Sequence, residues 1–537
     1  MIMDGRKRRA NYMKQGGLKM YAPWVIWLIA FVKMIYLYAQ IGQKGITFYA
    51  AALFTVLSVY ALTAAVTPDV LGRMVYFQKS RDCSRNAHRL YHTVTILTLL
   101  VLLLFCIPGF LLAEPLSKVL FGTVRYAFPL QIGLIAVFFL ALQQCMKGYL
   151  EGSSIPLPGS LSGIVTALIN LVTTICLKNI CSGAGTKAAA VFRQEDYYYA
   201  YAAVCGIGGL AVGAFLGFLF LLFVMLLLRR TIRAELKADE TRSPESRKNL
   251  LTDYILLYLP QMFHELLFSA LAFGCMIYAF HKGDVTMPLV LLVFILYMPV
   301  VLYAQQLSGY LARQLRVILK KQDYQHARER MAVMGKILFY LVLPVCAFLL
   351  AQANVVSAAF FDENKELTQL VRTGCIMAVF LALAICAGKL LSVMQRQLLC
   401  NGLTAVALLA GFWFFTLLSG SGQHAGNAFL QAVFLTSLCL ALAEFVMVCK
   451  RVRFRADLLR MIVFPLVSAV LTGAVAFLMQ LLLLKSLGGL MTLLLSMVIC
   501  YLLYQVLIIF LGVFQKHEWR QIPFGSLPEL LAGKLGR

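Results

Sequence analysis

Apolar residues run in blocks of about twenty along this chain, from Pro23 to Phe514, with short polar stretches between them. A hydrocarbon core of roughly 30 Å takes about twenty residues of helix, so each block is long enough to cross it once. The blocks predict helices at 23–41, 46–72, 91–113, 126–147, 159–180, 200–228, 251–280, 287–312, 335–358, 370–392, 401–418, 427–449, 458–484 and 489–514. They are too long and too uniformly apolar for barrel strands, and backbone polar groups cannot stay unbonded in lipid, so the spans are expected to be helices. No break is long enough for a separate domain. The pattern therefore reads as an all-α, polytopic membrane protein with about fourteen transmembrane helices.

Composition agrees: 61% of residues are hydrophobic and only 13% charged, too few charges to cover a water-soluble globule. The first block follows the basic run Arg6-Lys7-Arg8-Arg9 but is too long for a signal core and lacks a small-residue cleavage site. It reads as a retained first helix whose N-terminus is cytoplasmic. With that start, most of the 48 Lys and Arg fall at the breaks that become cytoplasmic, a strong positive-inside bias. Adding or dropping one helix would put Arg229, Arg230, Arg233 and Lys237 opposite Arg313, Arg316, Lys320 and Lys321 and spoil it. Orientation and attraction to anionic lipid heads thus account for most of the net charge of +25, without nucleic acid. The C-terminus is also expected on the cytoplasmic side.

The chain repeats itself. Lys79-Ser-Arg-Asp82-Cys-Ser-Arg-Asn-Ala-His-Arg89 aligns with Lys320-Lys-Gln-Asp323-Tyr-Gln-His-Ala-Arg-Glu-Arg330, each ahead of a helix. Ala136-Val-Phe138 matches Ala378-Val-Phe380, and Lys147 falls opposite Lys389. An even number of helices per copy implies two pseudo-symmetric lobes around a central cavity, a transporter geometry. The expected division is an N-lobe at 1–230, a cytoplasmic linker at 231–250 containing Ser243-Pro244-Glu245, a C-lobe at 251–514 and a cytoplasmic tail at 515–537.

A charged side chain near mid-membrane costs about 2.5–3.5 kcal/mol on insertion scales, so it needs a partner, a wet cavity or a route to the interface. Lys33 lies some ten residues into the first helix, with Tyr36 and Gln40 at i+3 and i+7 on its face. Together they are expected to wall a cationic cavity that meets an anionic head group; the competing reading is a lysine snorkelling outward. Gln143 and Gln144 extend a polar face beside Lys147, a second candidate for substrate contact, although Lys147 and Lys389 are both near enough to an interface to snorkel. Helix 251–280 carries Gln261, His264 and Glu265. The His-Glu pair begins like a zinc-protease HExxH, but Phe268 stands where the second histidine belongs, leaving an ion- or proton-coupling site or a local structural pair. Glu444 with Lys450 and Arg451, and Asp69 with Arg73, read as interfacial ion pairs. Gly209, Gly213 and Gly217 form two successive GxxxG steps, a close-packing signature, and Tyr197, Tyr198, Tyr199 and Tyr201 an aromatic belt.

Most of the fourteen cysteines sit singly in apolar blocks (Cys106, Cys145, Cys275, Cys346, Cys386, Cys439) and behave as small hydrophobes. Paired carboxylates, a nucleophile elbow, a Walker loop and metal-spaced clusters are absent from the sequence. No cofactor or metal is expected, and the chain is expected not to be an enzyme. The longest external break, near 181–199, offers little room for a catalytic platform.

Ala30-Phe-Val-Lys33 followed by Ile41-Gly42, then Gly45, Tyr49 and Thr63-Ala-Ala-Val-Thr-Pro68, and further on Gly148-Tyr-Leu-Glu-Gly152 with Pro158 and Ser162, carry a family resemblance. The chain is similar over most of 30–230 to the multidrug/oligosaccharidyl-lipid/polysaccharide exporter superfamily, and within it to the stage V sporulation protein B and MurJ-like flippases. It departs from the MurJ type at Val59-Tyr60, where that type has a basic pair, and at Thr166 and Asn170. The resemblance implies a flippase that moves a polyprenyl-pyrophosphate-linked saccharide, a cell-wall or surface-polysaccharide precursor such as lipid II, across a bacterial cytoplasmic membrane by alternating access. It implies a monomer whose partners are the lipid-linked saccharide, membrane lipids and cell-envelope synthesis enzymes. A drug/cation antiporter of the same superfamily is the alternative within transport, though those usually have twelve helices. A membrane glycan-modifying enzyme is the alternative from another class.

Overall fold

A computed structural model describes residues 5–239, 245–394, 397–453, 457–515 and 518. Ser243 and Pro244 of the expected linker, and the expected tail beyond 515 apart from Glu518, lie outside the described residues. The described residues are helical almost throughout and contain no strand.

The elements run α1 (Gly5–Thr63), α2 (Thr67–Ser80), α3 (Ser84–Leu111), α4 (Ala113–Phe121), α5 (Ala127–Gly152), α6 (Leu157–Phe192), α7 (Asp196–Leu227), α8 (Arg229–Lys237) and α9 (Arg247–His281). They continue with α10 (Val290–Lys320), α11 (Tyr324–Ala351), α12 (Ala353–Phe360), α13 (Lys365–Val393), α14 (Gln397–Gly420), α15 (Ala425–Val452), α16 (Phe464–Leu487) and α17 (Gly489–Phe510). Among the described residues thirteen helical runs are long and apolar enough to cross a membrane, and the first, Met20–Ser80, has 61 residues. At about 1.5 Å per residue a straight run of that length would measure three hydrocarbon cores. It is divided at Gly42, whose φ of 64° and ψ of −174° are not helical. Lys33 Nζ lies 3.2 Å from the Tyr49 hydroxyl, although a straight helix would hold these residues about 24 Å apart, beyond the reach of two side chains. The chain therefore turns sharply at Gly42, which divides the run into two segments each long enough to cross and gives fourteen such segments among the described residues, the number the apolar blocks predict.

Two boundaries differ from expectation for identifiable reasons. The helix expected over 46–72 breaks at 64–66, because Pro68 has no N–H to give the Ala64 carbonyl; α2 restarts with that proline in its first turn. The expected external break at 181–199 is largely helix: α6 runs on to Phe192, and its 36 residues span about 54 Å, well past the hydrocarbon core.

The chain forms two compact units, Met1–Pro288 and Leu289–Arg537. The helix expected to open the C-lobe, α9, packs on α1, α2 and α3 within the first unit. The linker helix α8 and its sequel dock there too: Glu235 pairs with Lys79 at 2.8 Å, and Asp239 accepts the backbone N–H of Arg85 at 2.6 Å. In the first unit α5 packs on α7, α2 and α1, and α6 lies along α7. In the second, α13 is central, against α10, α11 and α15, while α16 and α17 pair with each other and reach α11 and α12.

The repeat is visible in the helices. α3 and α11 are both 28 residues long, and Ser84 and Tyr324 begin them 240 residues apart, one residue off the register of the sequence alignment. Each follows a turn with a left-handed residue, Asp82 at φ 59° and Gln322 at φ 56°. Small residues bring α6 and α7 together: a Cβ on Gly209 would meet Thr174 Oγ1 at 2.3 Å, and one on Gly217 would meet Thr166 Oγ1 at 2.0 Å. Large apolar side chains such as Leu104, Leu111, Leu482 and Phe510 point outward, untenable in water and suited to lipid.

Candidate functional site

Lys33 sits in the 5–41 arm of α1, only 4% exposed. Its ammonium donates to the Tyr49 hydroxyl on the 43–63 arm at 3.2 Å and to the Gly206 carbonyl of α7 at 3.0 Å. The same ammonium lies 5.0 Å from the Tyr49 ring centroid, a cation–π contact. Gly206 is what lets these groups converge: a Cβ there would stand 2.8 Å from Tyr49 Cε2 and 3.1 Å from Leu37 Cδ2. Every partner is neutral, and among the described residues no carboxylate pairs with Lys33. Held by one hydroxyl, one carbonyl and an aromatic face, the Lys33 amine lies inside a membrane helix without a counter-charge, and its burial rules out the snorkelling alternative.

The other residues expected to share this wall are distributed differently. Tyr36 is half-buried and Gln40 exposed, so neither accompanies Lys33 inward. Gln143 is buried and donates to Thr166 Oγ1 at 3.1 Å, tying α5 to α6. Lys147 is half-buried, with its stem folded over Gly159 at the start of α6. Glu265 is exposed, and His264 is half-buried with its ring edge-on to Phe268 at 5.3 Å. Their neighbour Gln261 accepts from Arg73 Nη2 at 2.7 Å, while Arg73 Nε donates to the backbone carbonyl of Asp69 at 3.0 Å. Arg73 thus ties α2 to α9, a contact the expected Asp69–Arg73 pair did not anticipate.

Glu444 corrects the expectation of an interfacial pair with Lys450 and Arg451. It is 2% exposed, turned into the second unit, and accepts from the Cys400 thiol at 2.9 Å. Gly388 leaves room for it: a Cβ there would come within 3.2 Å of Oε2. Sequence spacing put Lys450 within two turns, but α15 presents Glu444 to α13 and α14 and the basic residues to its end. The partnership of Lys33 with Tyr49 was also not legible, since it depends on the turn at Gly42; the glycine between two apolar blocks was its signal.

These features define the class: a multi-pass helical membrane protein of two compact units that buries, in the first, a lysine with no carboxylate partner among the described residues. The fold is more particular. It is similar to a structure titled "Lipid II flippase MurJ, inward closed conformation", with a TM-score of 0.63, 10% identity, and 91% of this chain and 98% of that one covered. It is similar also to an inward-facing multidrug-resistance MATE family transporter (TM-score 0.56, 13% identity, 82% and 94% covered) and to the eukaryotic MATE transporter AtDTX14 (TM-score 0.55, 17% identity, 82% and 98% covered). No family model and no curated protein matches the sequence. The chain shares the fold of these flippase and transporter structures.

Proposed function

We propose that the protein is a flippase for a polyprenyl-pyrophosphate-linked saccharide, moved from the inner to the outer leaflet of a bacterial cytoplasmic membrane, with both termini cytoplasmic. One observation carries the reading: Lys33 is a buried ammonium whose partners are all neutral, so a phosphate anion meets no resident carboxylate in competition for it. A lysine at this depth costs about 2.5–3.5 kcal/mol on insertion scales when charged, a cost that a functional role accounts for. The pyrophosphate gives the charge-assisted contact, and the polyprenyl tail stays in lipid. The likeness that spans 91% of this chain is to a structure named as a lipid II flippase; the drug-transporter likenesses cover 82–84%. Because Lys33 is closed off in this structure, loading requires the 43–63 arm to shift about Gly42 and carry Tyr49 away. The Lys33 ammonium then exchanges a hydroxyl for a phosphate oxygen. No covalent step is involved.

The test is leaflet exchange of a fluorescent polyprenyl-pyrophosphoryl oligosaccharide in vesicles holding the purified protein. Exchange that falls at least tenfold in Lys33→Ala supports the reading. Unchanged exchange in that variant removes Lys33 from it, and covalent turnover of the sugar by the native protein replaces it with an enzyme.

A further inference from the structure

The outward face of α7 changes character where α8 takes over. Leu216, Leu219, Phe223 and Leu226 follow one another at alternating steps of three and four and are between 37% and 59% exposed, a lipid-facing stripe. Arg230, Arg233 and Lys237 carry the same spacing on, and all three are exposed. Little interrupts the two helices: Leu228 between them keeps φ −79° and ψ −4°, and its carbonyl accepts the Ile232 N–H at 2.9 Å. One stripe is therefore apolar along the span and basic just past its end.

Charge is sorted by side from Arg229 to Asp239. The four cations, Arg229, Arg230, Arg233 and Lys237, fall within roughly 100° of arc, since each residue advances a helix by about 100°. All four are exposed, and none makes an ion pair among the described residues. The two acids of this stretch are turned the other way, Glu235 to the Lys79 ammonium at 2.8 Å and Asp239 to the Arg85 backbone N–H at 2.6 Å. Leu228 and Ile232 pack into the core of the first unit on the same side, and Arg85 Nε donates to the Leu236 carbonyl at 3.4 Å. These ties fix the roll of α8 with its cations outward. Tyr76, 60% exposed and one turn before Lys79, marks the depth, because tyrosine rings collect at the head-group level.

We propose that this basic face binds the anionic head groups of bilayer phospholipids, making α8 a lipid-docked interfacial helix. Charge complementarity selects an anion, and the apolar stripe that leads without a gap to Arg230 selects a lipid surface. A soluble polyanion would meet the cations but not the stripe. Three of the four cations are arginines, whose planar fork matches phosphate oxygens two at a time. The inference rests on the membrane-spanning fold and not on the flippase reading or on Lys33.

The test uses the full chain in nanodiscs of phosphatidylcholine, alone or in equal parts with phosphatidylglycerol, and reads amide hydrogen exchange at 229–237. Phosphatidylglycerol should slow exchange there at least fivefold at about 0.1 M salt. Most of that difference should vanish at about 1 M, where the screening length falls from about 10 Å to about 3 Å. In the combined variant Arg230→Gln, Arg233→Gln and Lys237→Gln, the two kinds of disc should give equal exchange. Equal exchange of the native chain in both overturns the proposal. So does an undiminished difference in the variant, because the lipid then acts elsewhere than on this face. Slowing by polyuridylate in phosphatidylcholine discs, without slowing by phosphatidylglycerol, would overturn it in favour of a soluble polyanionic partner.

Discussion

The thiol of Cys400 lies 2.9 Å from Glu444 Oε1, and among the described residues it is that carboxylate's sole hydrogen-bond partner, with no basic group in ion-pair range. A thiol is a weak donor, so a charged carboxylate in this place is poorly compensated. Replacing Glu444 with glutamine keeps the shape and removes the charge. The variant is expected to raise the thermal midpoint in detergent, by the equivalent of about 1 kcal/mol. A lowered midpoint would show that the charge is stabilised by something other than Cys400.

Tyr49 provides one of the two hydrogen-bond acceptors of Lys33. Tyr49→Phe keeps the ring under the ammonium and deletes the hydroxyl, so stability should fall by about 1–3 kcal/mol, the range for a buried donor deprived of a partner. On the proposed mechanism leaflet exchange survives this change, since the hydroxyl is the group that substrate displaces. Denaturation and exchange measured on one preparation separate the two effects.

Gly42 holds φ 64° with ψ −174°, a region essentially confined to glycine. Nothing crowds the position, so any loss on substitution comes from the backbone alone. Gly42→Ala should cost about 1–3 kcal/mol, read as a lower thermal midpoint. An unaltered midpoint would mean that the turn is not what the dihedral angles describe.

The two copies of the repeat cap corresponding helices differently. In α11 the cap is Asp323, whose own side chain accepts the His326 N–H at 3.2 Å; in α3 the equivalent residue is Cys83, which makes no cap bond, and Asp239 of the linker serves the Arg85 N–H instead. Asp239→Ala should cost about 1 kcal/mol. Adding Cys83→Asp to that variant rebuilds a local cap and should recover most of it, measured by denaturation of the four combinations.

Asp323 also carries a pH dependence. The backbone N–H of His326 holds its carboxyl below the ordinary value, and the His326 ring contributes to the same end. A carboxyl depressed in the folded state adds stability above its unfolded value of about 3.9, and that stability is lost as pH falls through the folded value. The thermal midpoints of the native chain and Asp323→Asn should therefore differ at pH 7 and converge on acidification toward pH about 3. A gap that widens in acid would contradict the assignment.

Helices were legible because lipid imposes one rule on backbone and side chain alike, and runs such as 200–228 and 489–514 have no competing reading. The burial of Lys33 was legible for the same reason: a lysine ten residues into an apolar block lies where the chain crosses the hydrocarbon. What it touches was not, because Tyr49 and Gly206 reach it through a reversal at a single glycine and through a contact 173 residues away. Gln40 shows the limit of helical periodicity, which groups side chains by angle yet says nothing about which face meets protein. Glu518 shows another, since a carboxylate in a polar end of the chain gives no sign that it will be buried against α11.

A reversal made by one glycine leaves the first two crossings without a connecting loop. They must enter the bilayer as one hairpin, because neither can be released while the other waits in water. An epitope tag or protease site inserted at 42 would then abolish assembly of the first unit, whereas the same insert beside Gln322, in a three-residue turn between helices, would be carried.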